Sequence, residues 1–146
     1  MQTFLPHADM QKSAAVLDRQ RLGKQRVEGY QILRTLLGVS SGWQNHPAVK
    51  MWAGYEYCLK VYTLECITEW VRRGYKNNIE LPYIPPNCKL PWWFGDERVH
   101  GSHRSNLLRK APEYYGKFGW ADCPAAAYWW PEQKVGYGQF GRAPGA

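Results

Sequence analysis

Arg21, Lys24 and Glu28 are spaced three and four residues apart near the start of the chain. In a helix, this spacing places the three side chains along one ridge beside the stripe of apolar residues that should be buried. Burying charge costs free energy unless each group is paired. The ridge is therefore either a mutually paired structural network or the floor of a polar pocket, and in the second case it is a candidate active site.

The surroundings of the ridge indicate close packing. Asp18 and Gln25 lie at the edge of the helix face that should be buried, so polar side chains occupy positions where apolar core residues are expected. Gly23 and Gly29 flank the ridge. A glycine inside a helix costs roughly 1 kcal/mol relative to alanine, and we therefore expect some group to approach this backbone closely.

The composition favours an anionic partner. The chain has 146 residues with 19 Lys and Arg against 12 Asp and Glu, which gives a net charge of +7 and suits nucleic acid better than a membrane surface. A solvated basic face of an ordinary domain is the alternative interpretation. With no run of 18 apolar residues and no pattern typical of a signal peptide, we expect a cytoplasmic protein. The four cysteines form no CxxC pair, so we expect reduced thiols.

The helical periodicity predicts three main helices. Asp9 as N-cap and Gly38 as stop predict a first helix near residues 10–37. A second helix is predicted from Asn45-His46-Pro47 to Arg72-Arg73-Gly74, where the basic pair suits the helix dipole and the glycine the left-handed cap. A third is predicted from about Ser102 to just before Pro112.

The remaining segments lack helical or strand patterns. Residues 76–99 carry four prolines among aromatic residues, so we expect an ordered, irregular crossing rather than a sheet. The chain as a whole predicts a compact all-α domain over residues 1–140, followed by a flexible tail at 141–146.

The order of these features resembles the pyrimidine-dimer DNA glycosylase family of the phage endonuclease V type. That family has a short extended N-terminus, a first helix with a catalytic glutamate, a second helix ending in a basic-basic-glycine-aromatic step, and a basic helix followed by an aromatic loop. The matching residues here are Glu28, Arg72-Arg73-Gly74-Tyr75, residues 104–110 and Tyr114-Tyr115-Gly116-Lys117. The resemblance spans roughly residues 1–117.

The resemblance implies a specific chemistry. An N-terminal amine attacks the sugar C1′ to release the base and form a Schiff base, and β-elimination then cleaves the strand. Glu28 would stabilise positive charge on the sugar and act as general base, with Arg21 and Lys24 holding phosphate or tuning its pKa. The substrate implied is double-stranded DNA with an ultraviolet photoproduct or another modified base, bound by a monomer without cofactor or metal.

The start of the chain departs from the family pattern. Phage-type enzymes expose an N-terminal threonine, whereas here Gln2 follows Met1, and a bulky second residue normally blocks removal of the methionine. We therefore expect Met1 to stay and to supply the amine. Thr3 would offer a free amine only if two residues were lost, so the enzyme either has lyase activity through Met1 or releases the base without it.

Several further residues are predicted to join the site. His46, His100 and His103 could converge on the first helix for phosphate contact or proton transfer, with a cap or loop role as the alternative for His46 and His103. We predict His103 as catalytic alongside Glu28 and Met1. The predicted DNA-binding residues are Arg21, Lys24, His46, His100, Arg104, Lys110, Tyr114, Tyr115 and Lys117.

Two other classes of function stay open from the residues alone: a basic DNA-binding module without catalysis and a metal-dependent nuclease. A pure binding module has no use for Glu28 among phosphate-facing cations, because a carboxylate weakens counterion-driven binding. The spacing of His46, His100, His103, Cys88 and Cys123 fits no standard zinc pattern, and we therefore expect no metal site.

Overall fold

The computed structural model describes residues 1–131, and the predicted flexible tail at 141–146 lies outside them. The described part is helical and contains no strand, which confirms the all-α class. Its helices are α1 (Met10–Val16), α2 (Arg19–Leu36), α3 (Pro47–Lys50), α4 (Glu56–Arg72), α5 (Glu97–Lys110) and α6 (Pro112–Tyr115), followed by a 3-10 turn at Gly116–Phe118. None of these helices is both long and apolar enough to span a membrane.

The prediction of one continuous helix over residues 10–37 was wrong. Leu17 and Asp18 are both extended, with ψ angles of 141° and 162°, and they separate α1 from α2. The Asp18 carboxylate accepts the backbone N–H of Arg21 and so caps a new helix. Tyr115 holds the break from outside, because its hydroxyl donates to the Asp18 carboxylate and accepts the Asp18 backbone N–H.

The second predicted helix starts where expected but is interrupted, and the third begins earlier than predicted. His46 accepts the N–H of Ala48 and begins the short α3, but the chain then turns through Gly54, whose φ is +88°, and only resumes as α4 at Glu56. The third helix, α5, begins at Glu97 rather than near Ser102, because Asp96 is its N-cap. The predicted C-terminal glycine cap of α4 is confirmed, with Gly74 at a φ of +96°.

Helices α2 and α4 pack against each other at the two glycines. A Cβ on Gly29 would overlap Oγ1 of Thr63, and one on Gly23 would lie 3.0 Å from the Trp70 ring. The expected close approach is therefore made by α4. Residues 73–96 contain neither helix nor strand and cross the molecule as an irregular segment, as the prolines predicted.

Candidate active site

The first residues of the chain form a buried extended segment, which we call the N-terminal segment (residues 1–6). Its residues 2–6 are buried, although their backbone amides and carbonyls have no sheet partners. Buried backbone groups need hydrogen bonds from elsewhere, and here side chains of α2, α4 and α5 supply them. The position of this segment decides where the predicted amine and carboxylate lie.

Gln25 of α2 binds the middle of the N-terminal segment. Its Oε1 accepts the Phe4 N–H at 2.7 Å and the Tyr62 hydroxyl at 2.7 Å, and its Nε2 donates to the Gln2 carbonyl at 2.9 Å. The Tyr62 hydroxyl also lies 2.6 Å from the Phe4 carbonyl. This network fixes the start of the chain against α2.

Glu28, one turn further along α2, binds the beginning of the segment. Its Oε1 accepts the backbone N–H of Gln2 at 2.8 Å. Met1 is thereby held beside Glu28, and both residues line the same open cavity. The predicted nucleophile and the predicted carboxylate are therefore neighbours in the fold.

We call this cavity of about 260 Å³ the active-site cavity. It lies between the N-terminal segment, α2 and the end of α5. Its lining residues are Met1, Gln2, Phe4, Gln20, Arg21, Lys24, Gln25, Glu28, Lys110 and Tyr128. The ridge predicted from sequence is thus the floor of a polar pocket.

Positive charge surrounds the cavity. Arg21 is paired with Asp18 at 3.2 Å, whereas Lys24 and Lys110 form no ion pair with any residue in 1–131. Both lysines are exposed. Unpaired cations at the rim of a cavity attract an anionic ligand such as a phosphate.

His46 lies close enough to the active-site cavity for the charged groups of the cavity to shift the pKa of its ring. Burial and the positive N-terminal amine lower the pKa of His46, while the negative Glu28 opposes them. Its Nδ1 caps α3, as the alternative interpretation held, and its ring meets those of Trp43 and Trp130 edge to face. Its predicted contact with DNA stays a prediction.

His100 and His103 lie on the buried face of α5, outside the cavity lining. Nδ1 of His103 accepts the Leu5 N–H at 2.9 Å, and the His100 ring bonds the Leu5 carbonyl through Nδ1 at 2.7 Å. Burial, with the nearby His100 and Arg104, lowers the pKa of His103 to about 3. In this fold both rings bind the N-terminal segment. They therefore do not lie at the position predicted for proton transfer or DNA contact.

Arg104 is also drawn into the interior network. Its guanidinium contacts the carboxylates of Asp122 and Glu97 and donates to the Pro6 carbonyl at 2.7 Å. Two carboxylates neutralise its charge, so it offers little to a phosphate.

The aromatic loop after α5 is split between interior and surface. Tyr115 is fully buried against Asp18 and stacks on Trp120, whereas Lys117 is exposed and lies 3.9 Å from the centre of the Tyr114 ring. Tyr114 and Lys117 can be reached from solvent, but neither lines the active-site cavity.

Three residues near the site were not predicted: Tyr128 lines the active-site cavity, and Tyr62 and Trp52 hold the N-terminal segment beside it. Trp52 donates from its indole nitrogen to the Thr3 hydroxyl at 3.0 Å, and Tyr128 forms part of the cavity wall. Tyr62 and Trp52 fall at helical spacing within the predicted second helix, and no local pattern indicates that their polar ends meet the N-terminal segment. Within residues 1–131, no cluster of three or more His, Cys, Asp or Glu could hold a metal ion.

The chain matches one family model over residues 1–82, and that family is described as pyrimidine dimer DNA glycosylase. The matched part contains the N-terminal segment and helices α1 to α4, and so includes Met1, Arg21, Lys24 and Glu28. No curated protein and no solved structure matches the chain.

Proposed function

The chain belongs to the pyrimidine dimer DNA glycosylase family, and we propose that it removes a damaged or modified base from double-stranded DNA in the active-site cavity. The observation that carries this proposal is the meeting of the chain start with Glu28 in an open cavity, whose two rim lysines form no ion pair within residues 1–131. An amine, a carboxylate and phosphate-binding cations are the groups that such a reaction needs.

The proposed reaction begins with attack of the Met1 amine on the sugar C1′. The new C–N bond forms as the glycosidic bond breaks, and the base leaves with the bonding electrons and takes a proton. Glu28 stabilises the positive charge that develops on the sugar, accepts a proton from the attacking amine and returns it to the ring oxygen as the ring opens. The resulting iminium makes the C2′ proton acidic, and its loss expels the 3′ phosphate.

Lys24, Arg21 and Lys110 would position the DNA backbone during this reaction. Phosphate contacts fix the register of a protein on a duplex without reading its sequence. Lys24 and Lys110 form no ion pair within residues 1–131, whereas Arg21 shares its charge with Asp18.

The identity of the attacking amine follows from which residue begins the mature protein. If Met1 stays, as its bulky neighbour Gln2 predicts, the Met1 amine is the nucleophile. If Met1 is removed, the Gln2 nitrogen becomes the amine, and this atom already lies 2.8 Å from Glu28. If two residues are removed, the Thr3 nitrogen becomes the amine, but in this structure it donates to the Gln2 side chain in the interior. Mass spectrometry of the untreated protein distinguishes these three starts.

The decisive experiment for the reaction is incubation with duplexes carrying ultraviolet photoproducts or other modified bases, followed by borohydride reduction. We expect base release and a trapped complex that maps to the first residue. Base release without a trapped complex would leave a monofunctional glycosylase, in which water positioned by Glu28 is the nucleophile. Unchanged activity in EDTA is expected, whereas its loss would favour a metal-dependent nuclease.

Glu28→Gln tests the role of the carboxylate. The amide oxygen can still accept the Gln2 N–H, so we expect an intact fold, base release reduced by roughly 10²- to 10⁴-fold, and DNA affinity equal or higher. Glu80→Gln, an exposed position outside the cavity, is the matched control. Wild-type turnover in the Glu28 variant would refute the assignment, and DNA binding without any base release in the wild type would favour a non-catalytic module.

A further inference from the structure

Gln2 has one polar group that its surroundings do not satisfy. Its peptide N–H donates to Glu28 at 2.8 Å, its carbonyl accepts Nε2 of Gln25 at 2.9 Å, and its own Oε1 accepts the Thr3 N–H at 2.8 Å. The remaining group, Nε2 of the Gln2 side chain, is buried and has no hydrogen-bond partner in residues 1–131. A buried donor without an acceptor costs free energy, so such atoms are rare in folded proteins and call for an explanation.

The Gln2 amide cannot gain a partner by turning over. In the reversed orientation Nε2 would face the Thr3 N–H, and two donors would oppose each other. Within residues 1–131, Nε of Arg26 is the other buried side-chain atom without a partner. Arg26, however, does not line the active-site cavity, whereas Gln2 does. The unsatisfied donor of Gln2 therefore belongs to the site of the proposed reaction.

The acceptor for Gln2 Nε2 has to come from a ligand in the active-site cavity. Gln2 is only 5% exposed, and its Nε2 is shielded from solvent in this structure. Met1, which lines the same cavity, is only partly buried and has to move when its nitrogen bonds the sugar C1′. Gln2 is the next residue along the chain, so the groups attached to C1′ then lie beside its side chain.

The charges of the cavity indicate which of these groups the donor serves. Phosphates are attracted to the cationic Lys24 and Lys110, and the carboxylate of Glu28 stabilises positive charge on the sugar. An uncharged amide N–H suits a neutral acceptor of a base. Pyrimidine O2 and purine N3 are acceptors of this kind, and both lie beside the glycosidic bond. The base is therefore the part of the substrate that matches Gln2.

We propose that Gln2 is a catalytic residue that donates a hydrogen bond from Nε2 to the leaving base, at the acceptor beside the glycosidic bond. As this bond breaks, its electron pair passes to the base, and in a pyrimidine the negative charge spreads onto O2. A donor that is already in position stabilises such charge in the transition state. The amide keeps its hydrogen, and the base takes its proton separately as it departs. The inference rests on the proposed function, because it adds a role within the same reaction.

The test compares a substrate that has a base to remove with one that has none. The first is a duplex with a pyrimidine dimer, the lesion in the family description. The second is a duplex with a preformed aldehydic abasic site, which reacts with the chain-start amine but has no leaving base. Gln2→Glu keeps an acceptor for the Thr3 N–H and lacks the donor, whereas Gln2→Met lacks both groups and adds no charge. Both new residues are bulky, so Met1 should stay in each variant, which mass spectrometry verifies.

We expect both variants to excise the dimer about 10- to 10³-fold more slowly than wild type in single turnovers. Strand cleavage and borohydride trapping at the abasic site should stay within about threefold of wild type. If the wild type leaves abasic sites intact, affinity for a duplex with a tetrahydrofuran abasic analogue is measured instead and should be equally unchanged. Gln11→Glu and Gln11→Met, at an exposed position of α1, are the matched controls, and melting temperatures establish that each variant is folded.

Two results would overturn the inference and leave the proposed function standing. One is dimer excision by Gln2→Met at the wild-type rate. The other is an equal loss on both duplexes in both variants, because a bond to the sugar or a phosphate, or a purely structural role, affects the two substrates alike. A wild type that releases no base from any damaged or modified duplex would instead refute the proposed function, and the role of Gln2 with it.

Discussion

At the scale of single residues, Gln25 satisfies three buried groups of the N-terminal segment and α4 at once. Gln25→Ala would leave the Phe4 N–H and the Gln2 carbonyl without partners. We expect a loss of about 3 kcal/mol or more in unfolding free energy, because each buried unpaired group costs 1 to 3 kcal/mol or so. Urea unfolding measures it, and Gln20→Ala, an exposed position on the same helix, should change stability by less than about 0.5 kcal/mol.

Lys24, Lys110 and Arg104 were all predicted to bind phosphate, but their surroundings differ. The two lysines line the active-site cavity and have no ion-pair partner in the described part of the chain, residues 1–131, whereas Arg104 is held by Asp122, Glu97 and Pro6. Lys24→Ala and Lys110→Ala should each reduce the slope of log affinity against log salt by about 0.9, whereas Arg104→Ala should leave the slope unchanged and lower the melting temperature. An equal reduction of this slope in the Arg104 variant would contradict the distinction between Arg104 and the two lysines.

The sequence could predict the ridge of Arg21, Lys24 and Glu28, because spacing within one helix fixes which side chains share a face. It could not predict the roles of His100, His103 and Arg104. Their partners are residues 5 and 6, some 95 to 98 positions away in the chain. Only the packed fold shows that the N-terminal segment needs these donors and acceptors for its buried backbone.

At the scale of elements, the contact between α2 and α4 depends on Gly29. A methyl group there would overlap the Thr63 hydroxyl, which donates to the Leu59 carbonyl within α4. Gly29→Ala should destabilise the protein by about 1 to 3 kcal/mol despite the better helix propensity of alanine, because the helices must move apart.

Two further variants test this packing. Adding Thr63→Ala to Gly29→Ala should recover part of the loss, because it removes the two nearest atoms. Gly42→Ala, which has open space around it, is the control for a glycine replacement without overlap. A Gly29 variant as stable as wild type would show that the two helices tolerate a wider separation.

The helical periodicity predicted the existence and type of the long helices, but not the interruption at Leu17 and Asp18. Aspartate is compatible with both a helix surface and an N-cap, and the choice here is made by Tyr115, 97 residues further on. The start of α5 was missed for a simpler reason. Asp96 is a local N-cap signal, but few apolar residues follow it, so the helical periodicity is weak there.

At the scale of the whole molecule, the N-terminal segment joins the three long helices. It binds α2 through Gln25 and Glu28, α4 through Tyr62, and α5 through its two histidines and Arg104. Anything that releases this segment loosens the packing of the helices and also displaces Met1 from Glu28. Stability and the geometry of the proposed reaction are therefore coupled through the same hydrogen bonds.

His103 makes this coupling dependent on pH. Its pKa is about 3 in the folded protein against an ordinary value of 6.5, so the unfolded chain binds a proton below pH 6.5 that the folded chain does not. Its contribution to stability is complete above pH 6.5 and is lost as the pH falls toward 3, at roughly 1.4 kcal/mol per pH unit. Urea unfolding should show stability falling as the pH drops from 7 to 4.5, with a slope that approaches this value only below about pH 6.

His103→Asn separates this effect from other acid-sensitive groups. The asparagine carbonyl can still accept the Leu5 N–H, but it does not titrate, and the loss of ring contacts with Phe4 and Tyr128 should lower stability at every pH. We therefore expect a less stable variant whose stability falls less steeply between pH 6.5 and pH 4.5. A slope as steep as that of the wild type would mean that His103 is protonated in the folded protein. Nδ1 would then carry a hydrogen and could not accept the Leu5 N–H.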